Sequence, residues 1–167
     1  MNEAVSLYEA NEFDAAYPLM LILAEKGFAE AQWILAQMFL YGQGVEADEA
    51  LAVDYLVRAA KEEFMPAKLN LAWVFLDGNI ISQNIEHGSN LLIDTADQGF
   101  PFAQNDLGVL YLRGKYFQQN TEKAIYYLNL AASNGVAEAQ VSLGSIYSNG
   151  KLVPQDFEKS FDFNQKA

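Results

Sequence analysis

Few residues of this chain have the types that drive chemistry, and their setting argues against a reaction. His87 is the single histidine and follows Glu86 near the start of a helical segment. A general base there would need a nucleophile and an orienting group close by, so a surface or capping role is expected instead. The carboxylate pairs Glu62-Glu63 and Asp48-Glu49 fall at the ends of predicted helices, where acids serve the helix dipole or solvation rather than a glycosidase or metal pair. Gly42-Gln43-Gly44 joins helix to helix and lacks the preceding strand that a nucleotide-binding glycine loop needs. Cysteine is absent, which removes disulfides, thiol nucleophiles and thiolate metal sites. The expectation is therefore a protein that is not an enzyme, with no catalytic residue, no metal and no cofactor. A small-molecule or cell-wall hydrolase is the alternative class, and it would need a polar cluster converging on a pocket.

The elements that hold these residues repeat with a period of 36. Ala31, Ala67, Ala103 and Ala139 form one column, and Leu35, Leu71, Leu107 and Leu143 another. Phe39, Phe75, Tyr111 and Tyr147 form a third, and Gly42, Gly78, Gly114 and Gly150 close each first helix. A strict period in this range marks a solenoid whose units bury their apolar faces against their neighbours. The 167 residues, 51% of them apolar, suffice for four to five such units in one domain spanning 1–167. The expected divisions are an opening half-repeat at 1–27, full repeats at 28–63, 64–99 and 100–135, and a shortened last repeat at 136–167.

Each column has a packing explanation. Ala16, Leu19, Met20, Leu23 and Ala24 are spaced for one buried stripe of a helix that Gly27 ends, with Asp14 as its expected cap and Pro18 in its first turns. The same stripe returns at Ala52, Tyr55, Leu56, Ala59 and Ala60 behind an expected Asp48 cap, and at Ala124, Tyr127, Leu128, Ala131 and Ala132 behind Asn120 or Thr121. Ala36, Ala72, Gly108 and Gly144 are small where two helix backbones approach, so a larger side chain would overpack. The second unit departs from the pattern: Gly78-Asn79-Ile80-Ile81-Ser82 lacks the Gly-x-Gly turn. Ala167 aligns with Ala131, so the last helix stops short of its expected end and should fray, leaving Phe161 or Phe163 without a following unit. Self-association through a solenoid end is the expected consequence.

Net charge is −12, of which residues 1–64 carry −9. Such a surface repels phosphate, so nucleic acid and anionic membranes are poor partners and a basic protein surface is a better one; solubility alone is the alternative reading of the charge. The longest apolar run, Pro18 to Ala24, is too short to cross a bilayer. The start has neither a basic nor an apolar signal region, so the chain as given reads as cytoplasmic, and as periplasmic or secreted if a signal has been removed.

The pattern Ala29-Glu30-Ala31-Gln32 through Gly42-Gln43-Gly44-Val45, repeated at Ala137-Glu138-Ala139-Gln140 through Tyr147 and Gly150, resembles the Sel-one-like repeat (SLR) family, relatives of the tetratricopeptide repeats. Lys68 departs from the usual glutamine of that pattern. The resemblance implies an all-α, right-handed superhelical solenoid of helix-turn-helix repeats, commonly bacterial. Such a solenoid serves as a scaffold or adaptor that binds a peptide or protein, and some similar proteins are immunity or inhibitor partners of toxins. By analogy with tetratricopeptide repeats, the concave groove would take Trp33, Gln37, Leu40 and Tyr41 from the first unit. The second would supply Leu69, Trp73, Leu76 and Asp77, and the third Asn105, Val109, Leu112 and Arg113. The corresponding Val141, Ser145, Ser148 and Asn149 of the fourth are mostly polar. On this reading Leu40, Leu76 and Leu112 form an apolar row beside the two tryptophans, typical of interface anchors, or else they fill contacts between repeats.

Overall fold

The computed structural model describes residues 2–166, excluding the side chains of Asn164 and Lys166; the packing position expected of Ala167 lies outside the described residues. Ten α-helices follow one another among them, and no strand occurs among the described residues. They are α1 (Asn2–Glu9), α2 (Phe13–Glu25), α3 (Ala29–Tyr41), α4 (Glu49–Lys61), α5 (Met65–Asp77), α6 (Ile85–Asp97), α7 (Pro101–Arg113), α8 (Thr121–Ser133), α9 (Ala137–Asn149) and α10 (Phe157–Lys166). The fold is all-α, built of helix-turn-helix repeats of the α-solenoid class. Two compact units divide the chain, Met1–Leu91 and Leu92–Ala167. Within the first, each of α1 to α5 packs on the next, and within the second the same holds from α7 to α10. Short connections leave successive helices little choice but to lie antiparallel and adjacent.

The repeat is written in its polar groups as clearly as in its core. Asp48, Asn84, Asn120 and Asp156 each accept the backbone N–H three residues on, from Leu51, His87, Lys123 and Lys159, at 2.9 to 3.0 Å. Their own N–H groups donate to the carbonyls of Phe39, Phe75, Tyr111 and Tyr147. One residue thus caps the second helix of a repeat and pins it to the first, satisfying otherwise orphaned backbone groups at both. Asn120, not Thr121, is the cap in the third repeat. Buried Gln32, Gln104 and Gln140 each donate to a carbonyl eight residues earlier, of Ala24, Ala96 and Ala132, closing the preceding helix.

The third core column is aromatic. Phe39 stacks on Tyr55 at 5.9 Å, Tyr111 on Tyr127 at 6.1 Å and Tyr147 on Phe163 at 6.0 Å. Where Leu91 replaces the second ring, Phe75 instead meets His87 in a T-shaped contact, ring centres 4.4 Å apart. Phe163 is therefore held by its own repeat, while Phe161 and Phe157 of α10 are more than half exposed.

Two local expectations are corrected. Asp14 does not cap α2, which begins one residue earlier at Phe13, and Pro18 sits in the second turn of the helix, within the first turns where it was expected. The entry is fixed instead by Gly44, whose left-handed backbone lies against Phe13: a Cβ there would fall 2.5 Å from the Phe13 carbonyl carbon. Glu62 and Glu63 do not serve a helix dipole, for they follow the C-terminal end of α4, where acids are unfavourable. Glu63 instead pairs with the buried ammonium of Lys68 at 2.6 Å.

Candidate functional site

The residues with catalytic potential do not converge. His87 is exposed in the first turn of α6, where its N–H is taken up by the Asn84 cap and its ring by Phe75. Among the described residues no group of His, Cys, Asp and Glu is arranged to hold a metal ion. Asp48 and Asp156 are occupied as caps, and the Lys159 N–H holds the Asp156 carboxyl below its ordinary range. No described helix is long and apolar enough to cross a membrane.

Some of the residues expected in a groove do converge, in the first unit. A cleft of about 380 Å³ is lined by Leu40 and Tyr41 at the end of α3, Leu56 of α4, Asn70, Trp73, Val74 and Asp77 of α5, and Asn79 and Ile80 of the following turn. Tyr41 is 70% exposed at its rim. Four of the residues expected in a groove, Leu40, Tyr41, Trp73 and Asp77, are thereby brought to one place. Asn70, Trp73, Val74 and Asp77 recur at helical spacing, so they share a face of α5, and the irregular turn that replaces Gly-x-Gly adds Asn79 and Ile80 to the lining.

Leu76 does not belong to that face and is corrected: it is fully buried. It lies four residues after Ala72 on the stripe that meets α6, and Gly88 lets the α6 backbone come so close that a Cβ there would be 2.8 Å from the Leu76 Cγ. The continuous row of Leu40, Leu76 and Leu112 is therefore interrupted at its middle. Trp33 and Gln37 are only partly exposed and do not line the cleft; Trp33 packs on Phe64 at 5.9 Å, with its Nε1 enclosed. Leu69, one position from Asn70, also stays outside it. In the second unit Val109 and Leu112 lean on the core around Leu128 and Leu143, Asn105 is partly buried, and Arg113 is exposed. Sequence reasoning missed Asn70, which the i, i+3, i+7 spacing to Trp73 and Asp77 could have found. It also missed Asn79 and Ile80, which no helical period reaches.

Outside the cleft, electrostatics bear on stability. The Tyr55 and Tyr127 hydroxyls donate to Glu25 and Asp97 at 3.3 and 2.9 Å, joining each second helix to the one before it. Burial first, and then the neighbouring carboxylate, pushes both phenols above the ordinary 10.0. The unfolded chain therefore ionises these tyrosines before the folded one does. Their contribution is complete below about pH 10 and declines as pH rises above it. Urea midpoints measured on either side of that value should fall more steeply for the parent than for Tyr55→Phe/Tyr127→Phe. Parallel profiles would contradict the assignment.

Comparisons with known proteins agree with this architecture. The family model described as "Sel1 repeat" matches residues 29–63, 66–100, 101–136 and 137–167. A comparison with curated proteins finds no match. Among solved structures, a protective antigen of uropathogenic Escherichia coli displaying an SLR fold is 28% identical at a TM-score of 0.81, covering 89% of this chain and 32% of its own. A Sel1 repeat protein from Oxalobacter formigenes is 24% identical at 0.84, covering 98% of this chain and 65% of its own. An immunity protein from Pseudomonas aeruginosa is 21% identical at 0.71, covering 98% and 64%. The chain thus spans about a third of the first of these proteins and just under two thirds of the other two.

Proposed function

The chain belongs to the Sel1 repeat family, and from that premise we propose that it is a non-catalytic interaction module that docks a basic peptide or protein segment in the cleft of its first unit. Sel1 repeat proteins generally mediate protein–protein interaction. The observation that carries the reading is the convergence of Tyr41, Trp73 and Asp77 on one open cleft. Large aromatic groups with a polar rim are the usual anchors of an interface. The immunity role of the Pseudomonas neighbour belongs to that protein; at 21% identity it supports the shared fold.

The test is capture of a partner from native cells by the parent and by Tyr41→Ala/Trp73→Ala. Truncating an anchor commonly costs about 2 kcal/mol or more, so the double variant should lose the partner while keeping its helix content. Association with the parent should slow as salt is raised, because the acidic surface steers a basic partner over long range. A partner retained undiminished by the double variant, or bound with no salt dependence, would move the site elsewhere.

A further inference from the structure

We propose that the cleft of the first unit selects an arginine side chain of an extended segment, its guanidinium lodged between Tyr41 and Trp73 and paired with Asp77. The inference rests on reading that cleft as the docking groove. Its wall combines what a guanidinium needs and other side chains do not. Tyr41 and Trp73 contribute aromatic rings to the lining, Asp77 a carboxylate, and Asn70 and Asn79 amide carbonyl acceptors, while Leu40, Val74 and Ile80 supply apolar surface for an aliphatic stem. A guanidinium is planar, weakly hydrated, stacks on rings and carries five N–H donors in a fixed fork. An ammonium is compact and strongly hydrated, so it would use the carboxylate and forfeit much of the stacking.

Size and field point the same way. A cleft of about 380 Å³ lies near the lower end of the roughly 300–1,000 Å³ typical of ligand clefts, suited to one long side chain with its backbone rather than a seated helix. Residues 1–91 carry fourteen acidic against four basic side chains, a balance of −10. Two of those four bases are engaged within the unit, Arg58 with Glu25 and Asp54 and Lys68 with Glu63. The surrounding potential therefore attracts a cation and opposes an acidic segment.

The experiment uses the full chain carrying Trp33→Phe, so that Trp73 is the single indole reporter, with its melting point checked against the parent. The probes are acetylated, amidated pentapeptides, Gly-Gly-X-Gly-Gly, in which X is arginine, citrulline, lysine or glutamate. The arginine peptide should bind saturably and shift Trp73 emission, with citrulline, its neutral isostere, weaker by about tenfold or more. Lysine should fall between them and glutamate should not bind. Asp77→Asn should abolish the difference between arginine and citrulline. Tyr41→Ala should weaken the arginine peptide by about tenfold. Equal affinity for arginine and citrulline, preference for glutamate, no binding of the arginine peptide, or indifference to Asp77→Asn would each overturn the proposal. The docking reading fails separately, when Tyr41→Ala/Trp73→Ala still captures the native partner. If that capture is lost but Asp77→Asn leaves it unchanged, the docking groove stands and the arginine assignment falls.

Discussion

Replacing Gly108 by leucine is expected to destabilise the protein by about 3 kcal/mol, the upper end for overpacking, whereas the same replacement at Asn105, one turn away on α7, should change stability by less than about 1 kcal/mol. Gly108 is buried where α7 meets α8. A Cβ alone would stand 2.8 Å from the Leu128 Cγ and 3.1 Å from the Ala124 carbonyl oxygen. The second of these neighbours is backbone and cannot rotate away, so a whole leucine side chain must push α8 off α7. Leu128 is fully buried and belongs to the core that also holds Ala131 and Leu143, so the disturbance spreads to the next repeat. Asn105 is partly exposed, with an enclosed Oδ1 that has no hydrogen-bond partner, and an apolar replacement removes that polar atom. Urea midpoints of the two variants provide the comparison. Equal shifts would contradict the close packing of Gly108 against α8 and the looser, partly exposed setting of Asn105.

The second large effect is expected at Glu63 and Lys68, where two departures from the repeat compensate each other. Glu63 adopts φ +58, the left-handed conformation that Gly27, Gly99 and Gly135 adopt at the equivalent positions. A side chain there costs about 1–2 kcal/mol relative to glycine. Lys68 occupies the position of Gln32, Gln104 and Gln140, and its buried ammonium is bonded to the Glu63 carboxylate at 2.6 Å. Glu63→Ala keeps the strained backbone and takes the carboxylate from a buried cation, and should cost about 2–3 kcal/mol, less than a fully enclosed pair because Glu63 is mostly exposed. Lys68→Gln should be milder, since a glutamine amide at this position can donate to the carbonyl of Ala60, eight residues earlier, as its counterparts do. Glu63→Gly/Lys68→Gln restores the repeat at both positions and should be at least as stable as the parent. A double variant as damaged as the sum of Glu63→Ala and Lys68→Gln would show that the pair is not coupled.

The same pair illustrates how far the repeat can be read without coordinates. Lys68 stands out in the sequence as a departure from glutamine, but its reason lies in the backbone angle of Glu63, which composition does not reveal. The cap column behaves in the opposite way. Asp48 and Asn120 were legible from residue type and position, and Asn84 and Asp156 follow by adding the period.

For the candidate site the division falls within one helix. Trp73 and Asp77, which line the cleft, were legible as candidates because they stand off the Ala67, Leu71 packing column of α5. Leu76 stands off that column too, yet it is buried, because Gly88 admits the α6 backbone against it. What the sequence by itself determined is the helix count per repeat, the caps from Asp48 onward, the core columns and the family, since each depends on contacts within a repeat or with its neighbour and is printed again every 36 residues. Which apolar side chains remain accessible was decided only in three dimensions. Exposure depends on how closely the next backbone approaches and on the path of an irregular turn such as Asn79-Ile80. Neither distance nor turn path repeats with the period, so neither leaves a periodic mark in the chain.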